Sequence, residues 1–125
     1  MEVKKYIQEN EARFMDELFS LIRIPSISAL PQHKDDMLAC AERWKELLLE
    51  AGADKAEVMP SAGNPLVYAE KHVSDNAPTV LIYAHYDVMP AEPLELWKSN
   101  PFEPEIRDER IWARGADDDK GQGMI

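Results

Sequence analysis

"TVLIYAH", residues 79–85, carries four apolar side chains in succession, Val80, Leu81, Ile82 and Tyr83, and ends on a histidine. An apolar run without alternation fits a strand covered on both faces, as in a largely parallel sheet with helices packed on each side. That predicts an α/β architecture. Reactive groups in open α/β sheets collect where strands end at their carboxyl side, because the loops diverge there and leave a crevice. His85 occupies that position. In an extended segment residues i and i+2 project to the same face, so His85 and Asp87 point into one pocket while Tyr86 points away. A neutral imidazole there can bind a divalent metal through one ring nitrogen, and a carboxylate accepting the proton of the other nitrogen fixes the tautomer. The alternative is a pair of strand-end polar residues satisfied by backbone and water, and so short a motif does not choose between them.

Upstream of this stretch, residues 3–22 place Ile7, Phe14, Leu18 and Leu21 on one helical face, flanked by Met15 and Ile22. The helix is expected to stop near Pro25 of "RIPSIS". A second helix is predicted over 34–51, with Met37, Ala41, Trp44, Leu48 and Ala51 recurring every three or four residues and Gly52 as a left-handed C-terminal cap. From Lys55 the period shortens, and "AEVMP" and "PLVYAEKHV" read as strands. Downstream, "PAEPLELWKSNP" is a proline-rich loop, and "FEPEIRDERIWAR" is a hairpin turning at Asp108–Glu109. The final "DDDKGQGMI" begins a helix that the sequence does not finish. A domain seldom ends inside an element it must bury, so residues 1–125 are expected to be the amino-terminal part of a longer protein.

Composition narrows the partners. With 125 residues and 45% hydrophobic content the chain suits one compact domain or part of a larger one. Its 14 Lys+Arg against 24 Asp+Glu give a net charge of -10, which argues against nucleic acid as a partner. No apolar run of about 18 residues is present to cross a membrane, and "MEVKKYIQENEARF" carries charge where a signal peptide would be apolar. The expectation is a cytoplasmic protein. Cys40, the single cysteine, falls on the core side of the second helix and reads as a small apolar group. His33 and His72 have no motif partner and read as surface residues. Trp97 and Trp112 border the acidic loops, where packing is the ordinary role.

The second chemical signal is "ARGADDDKGQG", residues 113–123. Asp117, Asp118 and Asp119 crowd three like charges together, which is costly unless a cation, a helix N-terminus or solvent offsets the repulsion. One or two of them would serve equally as helix N-caps. No phosphate loop, calcium loop or nucleophile elbow fits these residues. Metal bridging is the strongest functional option, since one carboxylate can hold two cations about 3.5–4 Å apart.

Together, the segments in "LIYAHYDVMPAEPLELWKSNPFEPEIRDERIWARGADDDKGQ" resemble the paired metal-binding segments of the M20 metallopeptidases. They are most similar to the dipeptidase branch with its carnosinase-like enzymes. The resemblance implies a three-layer catalytic domain of zinc-peptidase, phosphorylase/hydrolase-like type, with a mixed, largely parallel sheet, two amino-terminal helices and a β-hairpin. It implies hydrolysis of the amide bond of dipeptides or small N-acyl amino acids by water activated between two divalent cations, most often zinc, with manganese or cobalt as alternatives. His85 would be a ligand to one metal, Asp87 the catalytic partner that orients it, and Asp118 the bridging carboxylate, with a cis peptide between Asp118 and Asp119. Glu109 and Ala113 depart from the residues common in relatives, away from the implied metals. The remaining ligands, the glutamate acting as general base and the lid and dimerisation domain would lie outside these residues. The chain alone is therefore expected to be inactive, and the full-length protein is a candidate homodimer. The rival reading is a non-catalytic half-domain that serves as an interaction module.

Overall fold

The computed structural model describes residues 2–124. Helix α1 spans Val3–Ile22 and buries Leu18, Leu21 and Ile22. Ile7, expected on the same buried face, is 51% exposed. Periodicity identifies the apolar side of a helix, but burial also requires a neighbour, and only the last turns of α1 are covered. A short 3-10 turn over Pro31–His33 leads into α2, Lys34–Glu50, which buries Met37, Cys40, Ala41 and Leu47. Gly52 takes φ 100° just beyond α2, the left-handed conformation expected of a helix-terminating glycine. Leu21, Cys40 and Leu47 form the centre of the core, with Ile24, Trp44, Tyr86 and Met124 packed around them.

Strands β1, Lys55–Met59, and β2, Leu66–Glu70, pair antiparallel with Val58 opposite Val67, and this hairpin lies against α2. Strands β3, Glu105–Arg107, and β4, Arg110–Trp112, form the second hairpin. Its two turn residues, Asp108 and Glu109, sit at φ 51° and 60°, as a tight two-residue connection requires. A short helix α3, Lys120–Gly123, follows the acidic run.

The expected strand at 79–85 is not part of any sheet here. These residues carry no ladder, and Val80, Leu81, Ile82 and Tyr83 are between 78% and 91% exposed. Among the described residues every strand pairing is antiparallel, and the largely parallel sheet is not assembled. Each hairpin pairs only its own two strands, and no strand edge is joined to the apolar run. The two-sided hydrophobic signal therefore stands with nothing covering it.

Candidate metal centre

The segment between the two helices frames the site. Ser26 is buried; its hydroxyl donates to the carbonyl of Tyr86 at 2.7 Å, and its own carbonyl accepts from the N–H of Val88 at 2.9 Å. Residues 86–88 are thus held on both sides of Asp87. Tyr86 turns away from the cluster, as the strand-like period predicts, packs on the core and donates its hydroxyl to the carbonyl of Pro65. Burial, helped by the negative charges of Cys40 and Asp87, pushes the Tyr86 phenol up to about 12.

His85 is the hub. Its Nδ1 lies 3.0 Å from Oδ1 of Asp87 and 3.1 Å from the Asp87 carbonyl, and its Nε2 lies 3.1 Å from Oδ1 of Asp118. The backbone N–H of His85 donates to Oδ2 of Asp119 at 3.1 Å. Burial alone would lower the imidazole pKa, but the hydrogen bonds to Asp87 and Asp118 outweigh it and the pKa is raised. The peptide between Asp118 and Asp119 is cis. His85, Asp87 and Asp118, named from the sequence, therefore meet at one place although 33 positions separate His85 from Asp118.

Ligand atoms of His85, Asp118 and Asp119 lie within 4.8 Å of one another, the only such group of potential ligands among the described residues. One imidazole nitrogen with carboxylate oxygens is a donor set that zinc and its first-row neighbours accept, so the residues fit a divalent cation. Asp119 was one of three equivalent acids in the sequence; the fold distinguishes it by bonding it to the backbone of His85. Asp117 stays outside the cluster, and its carbonyl accepts from the N–H of Gln122 at 3.4 Å.

The sequence reading missed Lys120. It is fully buried, and its ammonium donates to the carbonyls of Leu21 at 2.8 Å and Ile24 at 2.7 Å. A cation at the C-terminal end of α1 meets the negative end of the helix dipole and adds a second donor to carbonyls that already accept from the N–H groups of Ile24 and Ser26. Burial lowers the pKa of Lys120, against the opposing influence of Cys40. Cys40 is itself pushed up by burial. The acidic turn is thereby fastened at Asp119 to His85 and at Lys120 to the end of α1. The available signal was a lone lysine between an acidic run and glycines at a helix start, where the dipole disfavours a cation. Gly121 is required by space, since a Cβ there would fall 1.9 Å from the carbonyl oxygen of Ala116.

The other histidines are elsewhere. His33 pairs with Asp36 at 2.7 Å and is partly buried, more enclosed than a surface residue, whereas His72 is exposed beside Asp75. Trp97 donates to the carbonyl of Ala91 beneath the guanidinium of Arg114, and Trp112 donates to that of Arg107 beneath the Arg107 guanidinium, both packing roles. No helix among the described residues is long and apolar enough to cross a membrane.

Residues 81–125 match the sequence model of peptidase family M20/M25/M40. A cysteinylglycine-S-conjugate dipeptidase of Corynebacterium striatum is 35% identical over 116 residues, which are 93% of this chain and 26% of that protein. An M20 family metallo-carboxypeptidase from Sulfolobus solfataricus superposes with a TM-score of 0.77 at 41% identity, covering 89% of this chain and 24% of the other. Human carnosine dipeptidase 1 superposes with a TM-score of 0.86 at 24% identity, covering 96% and 28%, a likeness of fold. The chain thus spans about a quarter of the length of each of these relatives.

Proposed function

We propose that the chain, whose residues 81–125 match the sequence model of peptidase family M20/M25/M40, is the amino-terminal part of the catalytic domain of a metal-dependent amide hydrolase. Its substrates are dipeptides or small N-acyl amino acids, and it acts in the cytoplasm. The observation that carries this reading is the convergence of His85, Asp87 and Asp118, with Asp119 holding the His85 backbone. Two divalent cations, zinc in this reading with manganese or cobalt as alternatives, would be held in part by His85 and Asp118 and would supply acidification of water and polarisation of the scissile carbonyl.

The residues of this chain prepare that centre. Asp87 accepts the Nδ1 proton of His85, so that Nε2, which hydrogen-bonds Asp118 in this structure, is the nitrogen that would turn to a cation. Asp118, with its side chain 77% exposed, offers carboxylate oxygens outward. Asp119 spends one oxygen on the His85 N–H and so fixes the distance between His85 and the acidic turn. The remaining ligands and the general base are assigned to parts of the protein outside these residues, as is the homodimer contact, and the isolated chain is assigned no turnover.

The test is hydrolysis of a panel of dipeptides and N-acyl amino acids by the intact gene product, with and without a chelator. Activity should disappear on chelation and return with added zinc or manganese. Equal turnover in the chelated sample would defeat the metal mechanism. The exposed run Val80–Tyr83 also suits a half-domain that folds against a partner; inactivity of the intact, metal-loaded protein on every substrate would favour that reading.

A further inference from the structure

We propose that Ser28 is a positioning residue for the metal centre, its hydroxyl engaging one oxygen of Asp87 so that the other is reserved for the imidazole of His85. The inference rests on the metal-centre reading above and assigns a role to a residue well outside the acidic and histidine motifs.

The two oxygens of Asp87 have different partners. Oδ1 lies 3.0 Å from Nδ1 of His85, and Oδ2 accepts from the Ser28 hydroxyl. The terminal torsion of an aspartate is broad and close to two-fold, so packing alone does not hold one oxygen on the histidine. A hydroxyl donor on the far oxygen removes that freedom. It also keeps the carboxylate plane in line with the Nδ1 proton, so that Nε2 is the nitrogen left available to a cation.

Ser28 is able to do this because its own backbone is held. The N–H of Ser26 donates to the carbonyl of Ile24 at 2.8 Å and that of Ile27 to the carbonyl of Pro25 at 2.7 Å, which curls the segment tightly after α1. Ser26 then grips Tyr86 and Val88, the two chain neighbours of Asp87. The carbonyl of Ile24 takes the Lys120 ammonium at 2.7 Å. Residues 24–28 are therefore one platform touching both arms of the cluster, and Ser28 is the point where that platform reaches a side chain of the site. Ser28 itself is exposed, so its hydroxyl contributes to the site without being part of the core.

The experiment uses the intact gene product as wild type, Ser28→Ala and Ser28→Thr. Zinc affinity is measured by competition with a chromophoric chelator, and the Nδ1 hydrogen bond of His85 to Asp87 is followed in the metal-free proteins by histidine-selective 15N NMR. Loss of an outer hydrogen-bond partner of a metal-ligating histidine weakens metal binding by 10- to 100-fold, so Ser28→Ala is expected to bind zinc about tenfold more weakly. Its His85 Nδ1 proton should move from a protected, hydrogen-bonded signal towards one that exchanges with solvent. Ser28→Thr, which keeps the hydroxyl, should restore both, and all three metal-free proteins should share one thermal midpoint. Wild-type zinc affinity or an unchanged Nδ1 signal in Ser28→Ala overturns the proposal. A wild-type protein that takes up no zinc defeats the metal-centre reading instead, while the Nδ1 comparison still decides whether Ser28 positions Asp87.

Discussion

Asp118 holds an exposed carboxylate beside two other acids, so its side chain adds little to the core and, in the proposed metal centre, is free to face a cation. Asp118→Ala is expected to leave the stability of the metal-free protein within about 0.5 kcal/mol of wild type. In the same variant, metal affinity and turnover should fall at least about 100-fold, as read by metal titration beside denaturant melts. Tyr86 gives the opposite case, a residue next to the site whose effect is on stability. Its folded pKa of about 12 lies above the ordinary 10.0, so the folded state prefers the neutral phenol. That contribution is complete below pH 10 and is lost as pH rises through about 12. The difference in denaturant midpoint between wild type and Tyr86→Phe should therefore shrink across this window, and a constant difference would refute the assignment. At this scale His85 and Asp87 were legible because a period of two fixes which side chains share a face. Asp119 and Lys120 were not, because three adjacent acids look alike in sequence and a buried lysine is recognised only through the carbonyls it meets 96 to 99 positions away.

Elements were the most legible level, and the reason is local. The boundaries of α1 and α2 follow from amphipathic spacing, Pro25 and Gly52, and the turn at Asp108–Glu109 follows from polar residues between two short apolar stretches. What local pattern does not supply is the covering surface, which is why Ile7 was expected inside and lies outside. The second hairpin offers a direct test of backbone chemistry. Glu109 adopts φ 60°, where an L side chain costs roughly 1–2 kcal/mol. Glu109→Gly removes that cost but adds unfolded-state freedom of roughly 0.5–1 kcal/mol. A net stabilisation of up to about 1 kcal/mol is expected from denaturant melts, with zinc affinity unchanged because the turn takes no part in the cluster. Gly121→Ala should do the reverse. The new methyl group would collide with the Ala116 carbonyl, so the acidic turn must open, and zinc binding should be lost even where the helices persist by circular dichroism.

For the whole molecule, the sequence pattern gave the α/β layering its clearest sign at 79–85, and those residues join neither of the two hairpins among the described residues. A continuous apolar run states that both faces and both edges want neighbours, but it does not say which segments provide them. If the catalytic-domain reading holds, the amides of Val80–Tyr83 in the intact gene product should exchange with solvent as slowly as those of α2, measured by hydrogen–deuterium exchange. Fast exchange there would mean that the run is not a central strand. Lys120 has a consequence for the order in which this chain can be finished. Its ammonium serves the carbonyl of Leu21, made 99 positions earlier, and translation proceeds at about 5–20 residues per second. On the order of 5–20 s therefore pass in which that carbonyl of the nascent first helix has the N–H of Ile24 alone, before the ribosome delivers the buried cation that completes it.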